Sequence, residues 1–239
     1  MKKAKIILII PAYNEEENIL NTYNTIVDYN KKHKTNYEVV VINDGSKDNT
    51  ENILIDNNIN HVKLIRNLGI GGAVQTGYKY AYENGYDYAI QFDGDGQHDV
   101  NYVKDLLEPL MNGEADMTIG SRFIDKSSSE FQSSGLRRFG INIISNCIKY
   151  KTKFKVYDTT SGFRAVNRKV MESFCLSYPV EYPEPISIVQ MLAQKNIIKE
   201  VPVSMNERTG GVSSIRKWKS AYYMFNVVLS ILCVGKKVK

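Results

Sequence analysis

The chain has 239 residues, 31 of them basic and 26 acidic, for a net charge of +5, and 43% are hydrophobic. That length suits one sizeable α/β domain of ordinary globular composition, and a charge this modest calls for no nucleic-acid partner. Three widely spaced cysteines, Cys147, Cys175 and Cys233, form neither a CxxC pair nor a metal-finger pattern, which argues against a disulfide framework and for a reducing, cytosolic compartment.

The start, Met1-Lys2-Lys3-Ala4-Lys5 before Ile6–Ile10, has the outline of a signal peptide. Its apolar run is short, however, and Pro11 with Glu15-Glu16-Glu17 stands where a small-residue cleavage site belongs, so it reads as a buried first strand. Pro11-Ala12-Tyr13-Asn14-Glu15 closes that strand, and Ile19, Leu20, Tyr23, Ile26 and Val27 follow at helical spacing. Asn14 is the expected cap, with Glu15 to Glu17 at the positive end of the dipole; such a helix start also suits an anion or a nucleotide edge. Glu38–Ile42 reads as strand two, ended by Asn43-Asp44-Gly45-Ser46, which is either a turn or a carboxylate facing a base or ribose. Asp48 with Glu51 predicts a capping pair. Val62–Ile65 reads as strand three. Arg66-Asn67-Leu68-Gly69-Ile70-Gly71-Gly72 then precedes a helix, but the GxGxxG dinucleotide pattern fails at Val74 and belongs after the first strand.

Tyr86–Phe92 leads into Asp93-Gly94-Asp95-Gly96-Gln97-His98. Side chains two apart in an extended segment share a side, so Asp93 and Asp95 can converge on one hard cation. Magnesium or manganese prefers oxygen donors and commonly shares its coordination with substrate phosphates. The competing reading is an acidic turn. Val103, Leu106, Leu107 and Leu110 predict a helix, and Met117–Ile119 a strand. This alternation predicts a mostly parallel sheet with helices on both faces, ligands lying beyond the carboxyl ends of the strands.

Lys126 to Ser134 reads as a polar, serine-rich loop. Ile141, Ile144, Ser145 and Ile148 suggest a helix preceded by Arg137-Arg138. Thr159–Val166 looks extended, Pro185–Asn196 helical, and Ile197–Val203 a further strand. Ser161-Gly162-Phe163-Arg164 carries one cation in an apolar setting, structural or ligand-binding. Glu181-Tyr182-Pro183-Glu184-Pro185 sets two carboxylates around a proline, as a general base or as solvated turn acids. Asn206 to Ser214 is a glycine-bearing loop whose Arg208 either grips a diphosphate or sits in a linker.

In this order the motifs resemble the family 2 glycosyltransferases, and most of all the branch of polyprenyl-phosphate (dolichol-phosphate) sugar synthases and bacterial polysaccharide enzymes. The likeness runs from Ile6 to about Ile215 through PAYNEEENI, NDGSKDNT, RNLGIGGAVQTGY, FDGDGQH, GSR, SGFRA and ERTGGVSSI. It implies a GT-A fold, an inverting mechanism, and a nucleotide-diphosphate sugar held through Mg2+ or Mn2+. Carried over by position, Pro11, Tyr13, Glu15 and Asp44 would contact the nucleoside. Asp93 and Asp95 would flank the metal across Gly94, with Asp95 the more direct ligand, and Gln97 would lie beside the sugar. Arg122, Arg208 and Ser214 would hold phosphates, and Arg137 or Arg138 would meet a second phosphate, such as that of a lipid acceptor. Two departures stand out. The usual acidic pair is Asn43-Asp44 here, which leaves Asp44 the nucleoside role. The usual Glu-Asp base motif is replaced by Glu181-Tyr-Pro-Glu184-Pro, so Glu184 or Glu181 is the candidate base for a sugar hydroxyl, whereas a phosphate acceptor needs none.

The tail, 216–239, is treated apart from a transferase domain at 1–215. Ala221–Gly235 is apolar with basic flanks and too short to span a bilayer. It suits a helix in the membrane interface at the cytoplasmic face, or else a helix packed on the core or in a homodimer. The acceptor is a lipid-linked or soluble glycan or a polyprenyl phosphate, and a uridine nucleotide is preferred over guanosine. Rival readings are a nucleotidyltransferase, which would want a glycine-rich basic loop after strand one, and a non-catalytic scaffold, which would want the acidic pair or Arg208 lost.

Overall fold

The computed structural model describes residues 4–124, 135–205 and 219–234. In chain order the elements are β1 (Ile6–Ala12), α1 (Ile19–His33), β2 (Tyr37–Asn43), α2 (Thr50–Asp56), β3 (His61–Lys63), α3 (Gly69–Glu83), β4 (Tyr88–Gln91), α4 (Val103–Met111), β5 (Met117–Ser121), α5 (Gly135–Thr152), β6 (Arg164–Asn167), α6 (Arg168–Leu176), α7 (Pro183–Ala193), β7 (Ile198–Pro202) and α8 (Lys219–Cys233). The seven strands form one sheet in the order β3-β2-β1-β4-β6-β5-β7. Only β6 runs against its neighbours β4 and β5; every other pairing is parallel.

All seven residues of β1 are buried, as an unbroken apolar run must be when helices cover both faces of a parallel strand. Ile7 and Ile9 face a core built with α3 and α5 to α8, while Leu8 and Ile10 face one built with α1, α2 and α4. The last helix belongs to the first of these cores, to which it contributes Val227 and Ile231.

Several local expectations change, each for a tertiary reason. Asn14 does not cap α1: it stands in the left-handed region at φ 56°, its Oδ1 accepts from the Lys47 N–H at 2.8 Å, and Asn18 takes the cap position. The turn before α1 is docked on the loop before α2 instead. The Asn14, Glu15 and Glu16 N–H groups donate to Ser46 Oγ, Thr50 Oγ1 and Asp48 Oδ2, and Glu16 Oε2 accepts from the Asn49 N–H. Asp48 accepts from the Thr50 N–H at 3.0 Å, but Glu51 closes no capping box, because its carboxylate turns to Asn43. Arg137-Arg138 lies inside α5 rather than ahead of it. Helix α6 was not expected; Asn167 caps it by accepting from the Val170 N–H at 3.0 Å. Helix α7 starts earlier than expected, with Pro183 in its first turn, where a missing N–H costs nothing. The polar stretch 126–134 lies outside the described residues.

Gly71, near the start of α3, lies against the chain that leads into α7. A Cβ there would stand 2.4 Å from the carbonyl oxygens of both Pro179 and Val180. Backbone cannot give way as a side-chain tip can. Gly71→Ala is therefore expected to cost about 1–3 kcal/mol, the usual penalty of overpacking. Urea denaturation would show a lower midpoint with an unchanged slope, and an unchanged midpoint would contradict this packing.

Candidate active site

The register of the central strands sets the site. Ala12 pairs with Asn43 and Ile9 with Gln91, so the chain leaves β1, β2 and β4 at one edge of the sheet. There the 13–18 turn, the end of β2 and the start of α3 enclose a cleft of about 860 Å³, whose lining includes Pro11, Tyr13, Glu15, Asp44, Asn67 and Gly69. All four residues expected at the nucleoside therefore share one cavity. Tyr13 is 41% exposed at its mouth. A second cleft of about 350 Å³, between α4 and β7, is lined by acids and prolines and holds none of the motif residues.

Asp44 is buried, and it also holds the cleft together. Its Oδ1 and Oδ2 accept from the Leu68 and Gly69 N–H groups at 2.7 and 2.9 Å, where the helix dipole favours an anion. Burial pushes its carboxyl up, against the pull of those two N–H groups. Its neighbour Asn43 is fully buried but is not part of the cleft wall. The Asn43 amide donates to Glu51 Oε2 and accepts from the Ser46 N–H. Glu51 is also within 3.3 Å of Lys63 Nζ and 3.7 Å of His61 Nε2. An amide at position 43 supplies a donor where a carboxylate would meet another carboxylate.

Asp93, Gly94 and Asp95 lie beside the cleft. A Cβ on Gly94 would be 3.3 Å from the Pro11 carbonyl, and Thr22 Oγ1 donates to the Gly94 carbonyl at 3.0 Å. Asp95 is buried, and its Oδ1 accepts from the Gln97 N–H at 3.1 Å. Asp93 keeps a third of its side chain exposed. His98 fixes it from beneath: Nδ1 accepts from the Asp93 N–H at 2.9 Å, so the neutral ring carries its hydrogen on Nε2, 3.4 Å from Asp93 Oδ2. The imidazole stacks on Phe163 with ring centroids 4.6 Å apart. From the other side, a Cβ on Gly162 would sit 3.1 Å from both Asp93 carboxylate oxygens, so glycine keeps that approach open. Among the described residues no cluster of three or more His, Cys, Asp or Glu forms a closed cage. Two hard carboxylates, one of them open to solvent, fit a cation that takes its remaining ligands from phosphate and water.

Glu184 occupies the first turn of α7 and keeps part of its surface open. Burial of its carboxyl pushes its pKa up, opposed by the Arg164 guanidinium and its own backbone N–H, with the Asp93 charge adding to the rise. Arg164 is 1% exposed, and donates from Nε to the Ser161 carbonyl and from Nη1 to Ser187 Oγ, both at 2.7 Å. Glu181 is exposed. Arg122, expected on a phosphate, forms a buried two-pronged pair with Asp158 at 2.7 and 2.9 Å and reaches Thr160 Oγ1. Arg122 and the exposed Arg138 both lie near the Phe123 ring, 5.3 and 5.8 Å from its centroid. Arg208, Ser214 and the Arg137 side chain lie outside the described residues. Sequence reading missed His98 as the support of Asp93 and Asp158 as the partner of Arg122. The adjacent Gln97-His98 offered a weak signal for the first, whereas 36 residues separate the second pair.

Comparison with known proteins identifies the family and the fold. Residues 7–174 match the family described as Glycosyl transferase family 2. A UDP-N-acetylglucosamine–dolichyl-phosphate N-acetylglucosaminyltransferase of Methanococcus voltae is 33% identical over 218 residues, covering 83% of this chain and 84% of that protein. A polyprenol monophosphomannose synthase of Mycolicibacterium smegmatis is 28% identical, covering 93% of this chain and 85% of that protein. Among solved structures, glucosyl-3-phosphoglycerate synthase of Mycobacterium tuberculosis, in complex with Mn2+, UDP and phosphoglyceric acid, superposes with a TM-score of 0.70 at 18% identity, covering 99% of this chain and 80% of that one. At that identity the likeness establishes the GT-A fold.

Asn43→Asp is expected to set two carboxylates in contact and to cost about 1–3 kcal/mol at neutral pH, as a lost buried hydrogen bond does. The deficit should shrink in acid, where one carboxyl takes a proton; equal stability at neutral pH would overturn the account of Asn43. For Glu184 the sign runs the other way. Its folded pKa lies above the ordinary 4.5, so its contribution is full below that value and is lost as pH rises through the folded pKa. Glu184→Gln should thus be the more stable chain at neutral pH, with the advantage vanishing in acid. Parallel pH profiles for the two chains would contradict the burial of this carboxyl.

Proposed function

The chain belongs to glycosyl transferase family 2, and we propose that it moves a sugar from a nucleoside-diphosphate sugar to a lipid-linked phosphate acceptor. The observation that carries the reading is the cleft shared by Pro11, Tyr13, Glu15 and Asp44, with Asp93 and Asp95 set beside its Pro11 wall. A nucleoside enters that cleft, and its diphosphate extends toward the two carboxylates. The relatives named for transfer to dolichyl phosphate and for synthesis of polyprenol monophosphomannose support a polyprenyl-phosphate acceptor, and the Mn2+ and UDP of the M. tuberculosis enzyme support a uridine donor with a divalent ion.

Asp93 and Asp95 are the residues that would hold Mg2+ or Mn2+, which when bound supplies charge neutralisation for a departing diphosphate. An acceptor phosphate oxygen attacks the anomeric carbon from the face opposite the leaving group. The new carbon–oxygen bond forms as the bond to the nucleoside diphosphate breaks, the leaving group keeps the electron pair, and the configuration inverts. The attacking oxygen is already anionic, so no proton moves. Arg208 and Ser214 are assigned to the diphosphate, Gln97 to the sugar, and Arg137 and Arg138 to the acceptor phosphate. Arg122, held by Asp158, positions the chain between β5 and the 158–163 loop. The raised pKa of Glu184 eases its neutralisation, which suits a wall facing an anionic acceptor. A sugar-hydroxyl acceptor would instead use Glu184 as base, with Glu181 the weaker candidate. The site would work at the cytoplasmic face of a membrane, where such acceptors lie.

Calorimetric titration with UDP and with GDP, each with and without manganese, tests the donor half. The expected result is metal-dependent UDP binding that disappears in Asp95→Ala, together with a loss of transfer of about 10²–10³-fold, typical for removal of one charge stabiliser. Substantial transfer by that variant would sink the assignment.

A further inference from the structure

The charge of the chain is divided between two regions. Residues 136–157 and 209–239 contain twelve of the 31 basic residues and none of the 26 acidic ones. The remainder holds 19 basic against 26 acidic residues, a net −7 beneath the overall +5.

Within the described residues, one helix from each segment meets the other. Helices α5 and α8 pack on each other, and Lys151 Nζ donates to the Leu232 carbonyl at the end of α8. Helix α8 is apolar on two sides. Val227 and Ile231 enter the core, while Phe225, Leu229 and Leu232 remain 67%, 49% and 47% exposed. Their i, i+4, i+7 spacing makes a single outward stripe. At the end of α5, lysines alternate with rings: Tyr150 is 77% exposed, Phe154 is 37% exposed, and Lys149, Lys153 and Lys155 are exposed between and beside them. Neither α5, nor the stretch 153–157 that follows it, nor α8 contains an acidic residue.

We propose that the α5–α8 face docks on an anionic lipid bilayer, the apolar stripe and rings entering the interface and the lysines meeting acidic headgroups. A merely solvated basic face has no use for three exposed aliphatic and aromatic side chains in register. Protein interfaces are depleted in lysine. Single-stranded nucleic acid takes aromatic platforms and cations but not an aliphatic stripe. Basic residues beside apolar ones are the pattern of interfacial helices. The orientation also makes sense of the site, a point that rests on the acceptor reading above. Both α5 and α8 pack against α7, whose first turn carries Glu184, so docking places the acceptor side of the site next to the lipid.

The test is co-sedimentation of the full chain with vesicles of phosphatidylcholine alone or mixed with phosphatidylglycerol. Binding to the mixed vesicles is expected, and should fall as salt is raised. Each lysine near an anionic surface contributes about a fivefold gain in partitioning, so Lys149→Glu/Lys153→Glu/Lys155→Glu together should weaken binding at least tenfold. Phe225→Ser/Leu229→Ser should weaken it at high salt as well. Equal binding to neutral vesicles with no effect of charge reversal would overturn the proposal. So would a stable dimer that buries the α8 stripe without binding vesicles, or a preference for single-stranded nucleic acid over mixed vesicles. UDP titration of the same preparations separates the outcomes: vesicle binding without nucleotide binding would count against the transferase reading alone, and the reverse against this one.

Discussion

Burial of β1 on both faces is the constraint on which the site depends. A strand with helices above and below must satisfy its backbone sideways, and β1 does so with parallel partners on each side. Parallel pairing sends the chain ends of β1, β2 and β4 to one edge of the sheet. The Asp44 N–H donates to the Ala12 carbonyl at 2.8 Å, and the Phe92 N–H to the Ile9 carbonyl at 2.9 Å. Asp44 and Asp93 therefore emerge on either side of Pro11 before any side chain is considered.

The polar residues at that edge do two kinds of work. Asn14, Glu16, Ser46, Asp48 and Thr50 tie two turns together, which holds the cleft wall rigid. Asp44 lines the cleft while it caps α3. The turn and cap readings of these residues thus do not compete with the binding reading, because a cleft for a charged ligand needs walls whose own polar groups are already satisfied. Asn43 shows the same logic in reverse. Its amide serves Glu51 behind the cleft, so the missing family carboxylate leaves no gap in the wall.

On the other side of β4 the arrangement is costly. Gln91 faces Arg164 across the β4–β6 ladder, and Gln91 Oε1, Arg164 Nη2 and the Tyr78 hydroxyl are buried without a hydrogen-bond partner among the described residues. Each such group costs about 1–3 kcal/mol. They lie near Asp93 and Glu184, the carboxylates of the candidate site.

Sequence alone determined the strand pattern, the mostly parallel sheet, the motif order and the placing of two carboxylates one residue apart after a strand. These follow from short-range rules: apolar runs of strand length, helical spacing, and carboxylates two apart after a strand. It also carried the charge division, which is a matter of composition. Tertiary structure alone decided which polar residues bind each other. Asn14 lost its helix cap to Lys47, Glu51 left its capping box for Asn43, Arg122 found Asp158, and His98 folded back under Asp93. Hydrogen-bonding groups have many near-equivalent local partners, and the choice among them rests on which distant segments the sheet brings within about 3 Å. No pattern along the chain encodes that distance.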